Sequence, residues 1–511
     1  MNMDLNTEQI QVNNISNCVT NDELKSDEIS TNRKKVTFMY HYKGSWQVNY
    51  AELHSWFARM GHKIIKDDFK KVDNILYGWD GKRWTRADDF IKKFIFLKFM
   101  NTFGIAIDSK YLSELINTCL YADFIPSIPR WDWSQEYANK LIITFLNGTL
   151  EIDFTNYNHK FYKNIFRKEN NAVYILNMNY EEELMAANYW RDSFVGKYFL
   201  EYYADNDRDQ LQQYLAAVLI PQFEIQQNLV ILGDGGDGKG VLMGALRDLL
   251  GNVVSGLRVS EWDGKHDTTA LIGSILNITS ERPSREINTD IFKAVVANDE
   301  LQMNPKFKDL FYHKPFCKHI MTVNSLPSIE IDSAIMRRLV MIKTCKTTTM
   351  RERNASFKRN FELDKAGLVS FMIQGLYLLK ANDFNFLTGS IELKDELIYQ
   401  NDSLIKDFID ECISLTDNIN DYEVSAFAFD LFSYWERDNG KNSKPMVRAT
   451  FSKKIINISK SLGMANVVSV SRRLPDSGKT ARVLTGIKIK SEWVANYNKY
   501  KKSLENFMFK C

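Results

Sequence analysis

One stretch constrains this chain more than any other: NLVILGDGGDGKGVLMGALRDLLG, residues 228–251. An apolar run of strand character leads into five glycines and a lysine. A segment follows whose Val241, Leu242, Ala245, Leu246 and Leu249 fall on one helical face. Gly233, Gly238 and Lys239 satisfy the spacing G-x-x-x-x-G-K. Glycines let successive backbone amides turn toward an anion, the helix start adds its positive end, and the lysine reaches β and γ phosphates. The loop of Gly233, Asp234, Gly235, Gly236, Asp237, Gly238, Lys239, Gly240 and Val241 is therefore expected to hold ATP. The Ser or Thr that ligates Mg²⁺ after such a lysine is Gly240 here. Either a water takes that position on the metal, or hydrolysis is weak.

The surroundings of the loop fit the same chemistry. Apolar runs NLVILG, ILNITS, HIMTVN and RLVMI alternate with helical segments, which predicts a parallel sheet covered by helices. SILNITSERP is a strand ending in Glu281, where a carboxylate is placed to organise Mg²⁺ and the attacking water. KHIMTVN ends in Asn324, a neutral side chain suited to orienting that water. AIMRRLVMI sets Arg337 and Arg338 just before another strand, and an arginine offered to a neighbouring subunit's nucleotide stabilises transition-state charge.

The rest of the sequence bounds the architecture. With 511 residues, 44% hydrophobic and 25% charged, the chain has the balance of a multidomain globular protein. Residues 1–35 are polar with isolated apolar positions and are expected to form a disordered tail. No apolar run approaches the roughly 18–20 residues that cross a bilayer, so a cytoplasmic protein without membrane contact is expected. Six cysteines are scattered without a CxxC or CxxH pair, which suggests reduced, ordinary thiols. Residues 36–205 read as an α/β N-terminal domain: Asp80-Gly81 marks a hairpin turn, LNGTLEID a strand, and FIKKFIFLKFM and YLSELINTCL helices. Residues 351–420 read as a helical connector, with a helix over 363–385.

Residues 441–500 carry thirteen Lys or Arg against two acids, Asp476 and Glu492. VSAFAFDLFSYWERD and RATFSKKIINISKSLG read as two helices. The second has Phe451, Ile455, Ile458 and Leu462 on one face, with Lys453, Lys454, Asn457 and Lys460 on the other. Two strands around Pro-Asp-Ser-Gly follow, with Arg472, Arg473, Lys479 and Arg482 near the tip. This is the outline of a winged helix over 421–500, which predicts DNA as its partner.

Four segments together carry a resemblance: GDGGDGKG, the NITSE strand, INTDIFKAVVANDELQMNPKFKDLFYHKP, and IMTVNSLP followed by AIMRRLVMI. Over residues 229–342 the chain resembles the superfamily 3 helicases of phage, plasmid, mobile-island and poxvirus primase-helicases. The resemblance implies an AAA+-like parallel-sheet P-loop ATPase core over 206–350, an α/β multidomain protein overall, and a ring, usually a hexamer, around DNA. It implies that Lys239 holds phosphate, that Glu281 serves Mg²⁺ and water, that Asn324 is the polar sensor, and that Arg338, in preference to Arg337, acts in trans. Lys306, Phe307 and Lys308 correspond to a hairpin contacting DNA, where two cations beside an aromatic ring suit phosphates and bases. The expected activity is ATP-dependent unwinding or translocation on single-stranded and duplex DNA in replication. Residues 36–205 carry no primase motif set, so a separate primase or polymerase is expected. The alternative is an origin-binding initiator whose assembly ATP controls without processive unwinding.

Overall fold

The computed structural model describes residues 37–60, 68–72, 75–86, 88–121, 127–128, 139–221, 223–262, 267–280, 287–304, 310–326, 329, 332–346, 355–386, 393–394, 397, 403–441, 446–475 and 478–508. The chain forms two compact units. Met1–Ser325 with Arg337–Gly389 makes the first, and Leu326–Met336 with Ser390–Cys511 the second. The tail expected over 1–35 lies outside the described residues.

The first unit is built on a five-stranded parallel sheet. Its strands are β1 (Asn228–Leu232), β2 (Val254–Ser255), β3 (Leu276–Ser280), β4 (Lys318–Val323) and β5 (Leu339–Lys343), in the spatial order β2-β3-β4-β1-β5. All four expected apolar runs are in it. β1 and β4 are buried along their whole length, as strands covered by helices on both faces are, and this buries Asn228, Lys318, His319 and Thr322 together with the apolar residues. In register, Leu229 lies beside Ile320 and Val340, and Ile231 beside Ile342.

These residues pack into one core with two helices, Asp205–Val218 and Lys365–Ala381. The two helices meet closely at Gly375, where a Cβ would sit 2.4 Å from the carbonyl oxygen of Gln212. Asp364 fixes their neighbourhood. One carboxylate oxygen accepts from Gly367 N at 3.0 Å, capping its own helix, and the other accepts from Val195 N at 2.9 Å. The helix expected over 363–385 thus begins after its cap and ends at Ala381.

The N-terminal part is mixed α/β. Strands Trp84–Thr85, Ile75–Trp79, Phe69–Val72 and Ser127–Ile128 form a sheet in that order. The Asp80-Gly81 turn is as expected, with Asp80 accepting from Lys82 N at 2.9 Å and Arg83 N at 2.8 Å. The two predicted helices are Asp88–Phe103 and Ser109–Tyr121, and LNGTLEID supplies Gly148–Asp153, the middle strand of an antiparallel meander.

In the second unit, helices Ser403–Cys412, Ser425–Asp438 and Arg448–Ser461 share a core that includes Phe408, Trp435, Phe451, Ile455 and Ile458. The first of them lies on the connector side of residue 421. A three-stranded antiparallel sheet accompanies them, ordered Tyr422–Val424, Thr480–Thr485, Ser469–Arg473. Leu462, expected on the buried face, is 41% exposed, because the helix ends at Ser461 and the chain turns away at Gly463 (φ +84°). Asp476 and Ser477, in the expected turn, lie outside the described residues. Among the described residues no helix is long and apolar enough to cross a membrane.

Candidate functional site

The loop after β1 lies at the carboxyl edge of the sheet. Gly233 N donates to Val323 O, the last residue of β4, at 3.1 Å, and Thr344 N donates to Leu232 O at 2.9 Å. Six residues later the helix Lys239–Leu250 begins, with Gly238 before it at φ +83°. That left-handed backbone suits glycine, and a Cβ at Gly238 would lie 2.6 Å from Tyr198 Cε2. Gly233 is equally constrained, since its Cβ would sit 1.9 Å from Thr344 Oγ1 and 2.1 Å from Asp237 Oδ2. The helix start turns its amides and positive end toward the loop.

Lys239 is buried, at 5% exposure, and so is Asp237, at 2%. The ammonium donates to Gly233 O at 2.6 Å, to Asp234 O at 3.3 Å, and to Asp237 Oδ2 in a short ion pair. Asp237 has two further donors: Lys239 N to Oδ1 at 3.2 Å and Thr344 Oγ1 to Oδ2 at 2.7 Å. Its backbone oxygen accepts from the Tyr198 hydroxyl at 3.2 Å. Burial pushes the Tyr198 phenol well above its ordinary range, so it stays a neutral donor beneath the loop. Neither Tyr198 nor Thr344 stands out in the sequence. Both belong to segments without a motif, and only their hydrogen bonds to the loop distinguish them.

The other expected site residues divide by position. Asn324 is exposed and directly follows Val323, which binds the loop through Gly233. Glu281 lies outside the described residues. The strand before it ends at Ser280, whose hydroxyl is 2.9 Å from that of Thr322 on β4.

Arg338 ends the short helix Ser333–Arg338 and precedes β5, whose Leu339 pairs with Asn228 at the start of β1. It therefore lies at the amino edge of the sheet, opposite its own glycine loop, across a strand of about 13 Å. Arg337 and Arg338 line a depression of about 400 Å³ with Phe223, Glu224, Phe384 and Phe386.

Lys306, Phe307 and Lys308 lie outside the described residues. The described strands on either side of them, Leu301–Met303 and Phe311–His313, pair antiparallel. Met303 is buried there among Tyr77, Trp79 and Trp84 of the N-terminal sheet. In the second unit, Lys453 is exposed and Lys454 half-buried on the helix Arg448–Ser461. The Arg472 guanidinium stacks over Tyr422 at 4.4 Å, and the exposed Arg473 donates from Nε to Gly478 O at 3.0 Å.

Residues 231–338 match a family of unknown function, DUF5906. The match spans the glycine loop, β3, β4 and both arginines. No curated protein matches the chain. Among solved structures, it is similar to an apo form of the NrS-1 C-terminal region (305–718), with 13% identity and a TM-score of 0.37, covering 68% of this chain and 97% of that one. It is also similar to an A form of the same apo region, at 12% identity and a TM-score of 0.38, with the same coverage.

Proposed function

We propose that this chain is an ATP-dependent DNA helicase or translocase of the superfamily 3 type, acting in replication of a phage, plasmid or mobile island as a ring around DNA. The observation that carries the reading is the glycine loop at the carboxyl end of β1, inside a parallel sheet ordered β2-β3-β4-β1-β5, with Lys239 at the start of the following helix. In open parallel sheets ligands bind at the carboxyl ends of strands where the order reverses. Here β2, β3 and β4 lie on one side of β1 and β5 on the other, so the loop sits at such a point.

The residues present fit a nucleoside triphosphate. The loop amides, the helix start and Lys239 would hold the phosphates. Glu281 would hold Mg²⁺, which supplies charge neutralisation at the γ phosphate, and Asn324 would orient water. The amino-edge position of Arg338 supports action on a neighbour's nucleotide, which requires an oligomer, a hexamer in this reading. In the second unit, two helices, Ser425–Asp438 and Arg448–Ser461, followed by the antiparallel strands Ser469–Arg473 and Thr480–Thr485, support a winged helix that binds DNA through Lys453, Lys454, Arg472 and Arg473. Priming would fall to a separate primase or polymerase.

Gly240 favours a second reading, an ATP-controlled initiator at an origin that assembles without processive unwinding, because the loop lacks the metal-binding hydroxyl. ATP turnover with and without single-stranded DNA, alongside unwinding of a forked duplex, separates the two. DNA-stimulated turnover with unwinding is expected, and turnover without unwinding selects the initiator. ATP binding unchanged in a folded Lys239→Ala protein would remove the site assignment from both.

A further inference from the structure

The Lys239 ammonium has three N–H bonds, and the protein provides three acceptors: Gly233 O, Asp234 O and Asp237 Oδ2. Two of these are neutral carbonyls. The third is a carboxylate, 2% exposed, carrying the same charge sign as a phosphate. A phosphate oxygen reaches Lys239 only by taking over one of these places, and the carboxylate is the electrostatically equivalent partner.

Asp237 is also held independently of the lysine. Thr344 Oγ1 donates to its Oδ2 at 2.7 Å and Lys239 N to its Oδ1 at 3.2 Å, so the carboxylate keeps hydrogen-bond donors when the ammonium turns away. Thr344 itself is placed by the sheet, through its own N–H on Leu232 O at 2.9 Å and a bridge to Tyr203. Thr344, the residue after β5, thus shares the loop's carboxylate with the loop's lysine.

We propose that Asp237 is a built-in competitor for the triphosphate: its carboxylate holds Lys239 until phosphate displaces it, and Thr344 sets the strength of that hold by sharing the carboxylate. The proposal rests on the nucleotide-site reading above and adds an affinity-determining pair to it. Bringing a triphosphate beside a fixed carboxylate adds like-charge repulsion in a poorly solvated loop, so Asp237 weakens binding relative to a neutral isostere.

The two residues then have effects of opposite sign. Asp237→Asn preserves an acceptor for Lys239 and Thr344 while removing the charge, and ATP and inorganic tripolyphosphate should both bind at least tenfold tighter. Thr344→Val removes the competing donor but keeps the shape, leaving the carboxylate more dependent on Lys239, and binding should weaken severalfold. A merely structural role for the cluster would weaken binding in both variants.

The experiment titrates a fluorescent ATP analogue, with tripolyphosphate as competitor, into the full-length wild type, both variants and Lys239→Ala, each checked for cooperative thermal unfolding. Opposite shifts for Asp237→Asn and Thr344→Val support the proposal. Unchanged or weaker binding by Asp237→Asn, with wild-type binding that Lys239→Ala abolishes, overturns it while leaving the nucleotide site intact. Should Asp237→Asn not fold, Thr344→Val decides: binding as tight as wild type or tighter overturns the proposal. Absence of binding by every folded protein overturns the nucleotide-site reading, and the proposal with it.

Discussion

The ammonium of Lys318, at the start of β4, donates to the carbonyl oxygen of Ile220 at 2.6 Å, just beyond the end of the helix Asp205–Val218. A second carbonyl, Pro221 O, accepts from it at 2.7 Å. The side chain is 2% exposed, and burial pushes its pKa down to about 7, with nearby Cys317 and Glu224 opposing the fall. A neutral amine has two N–H bonds, which matches the two carbonyls.

Stability should follow this titration. An unfolded Lys318 keeps its proton to near 10.5. Between pH 7 and 10.5 the unfolded chain therefore binds more protons than the folded one, and stability rises with pH. Below about pH 7 both states are protonated, the slope vanishes, and the cost of the buried charge is fully present. Chemical denaturation of the wild type and of Lys318→Met at pH 6.5, 7.5 and 9 tests this. The wild type should gain on the order of 2 kcal/mol more than the variant between pH 7.5 and 9. Parallel pH dependences would show that Lys318 is charged in the fold throughout.

Gly240→Ser should fold and raise apparent Mg²⁺ affinity. A Cβ at Gly240 meets nothing within 4 Å, and the added hydroxyl stands one residue after the lysine, where the metal is reached in loops of this kind. Turnover measured against Mg²⁺ concentration at saturating ATP should reach half-maximum at severalfold lower metal. An unchanged or higher requirement would mean that the metal lies elsewhere, held by Glu281 and water alone.

The elements legible in the sequence are those with a strong periodic or compositional signal. β1 and β5 can be placed by their apolar runs at 229–232 and 339–342, β3 and β4 by shorter apolar stretches interrupted by Asn277, Thr279 and Thr322, and the helix after the glycine loop because its apolar residues repeat at three and four. β2, two residues long, carries no such signal. The loop's own chemistry is only half legible. The motif spacing points to Lys239 as a phosphate ligand, yet nothing in it says that Asp237 holds that lysine or that Thr344, 107 residues away in sequence, holds Asp237. Such hydrogen bonds are set up by the sheet, which brings the end of β5 beside the end of β1. Leu462 departs from expectation for the converse reason: apolar residues keep their helical spacing past the residue where the helix stops.

The basic stretch 441–500, with thirteen Lys or Arg against two acids, should bind DNA with a salt dependence set by its exposed cations. A cut at residue 421 is a poor test, because it would strip Phe408 and Ile409 of the Trp435 and Phe451 core they share. Charge reversal in the full chain, Lys453→Glu with Arg473→Glu, leaves that core intact, since both side chains are exposed. The slope of log K against log salt for duplex DNA should fall by about 2, at roughly 0.9 for each phosphate no longer neutralised. ATP turnover without DNA should stay at the wild-type level. An unchanged slope would assign these cations to solvent.

Arg338 offers the sharpest test of assembly. It stands at the amino edge of the sheet and Lys239 at the carboxyl edge, so one chain does not bring the two to a single nucleotide. If Arg338 acts on a neighbour's triphosphate, Arg338→Ala should bind ATP normally and hydrolyse it at least a hundredfold more slowly, since such an arginine contributes mainly in the transition state. Lys239→Ala has the complementary defect, a damaged phosphate site in a chain with an intact arginine. It removes one partner of a buried ion pair, so its fold must be checked first; a loss of about 3 kcal/mol is expected unless Asp237→Asn accompanies it. Mixing Arg338→Ala with the Lys239→Ala/Asp237→Asn chain should then create interfaces with Lys239 from one subunit and Arg338 from the next, and restore part of the ATPase activity. Mixed oligomers, verified by sizing with two differently tagged chains, that regain no activity would place Arg338 outside the reaction, and Arg337 would be tested in its place.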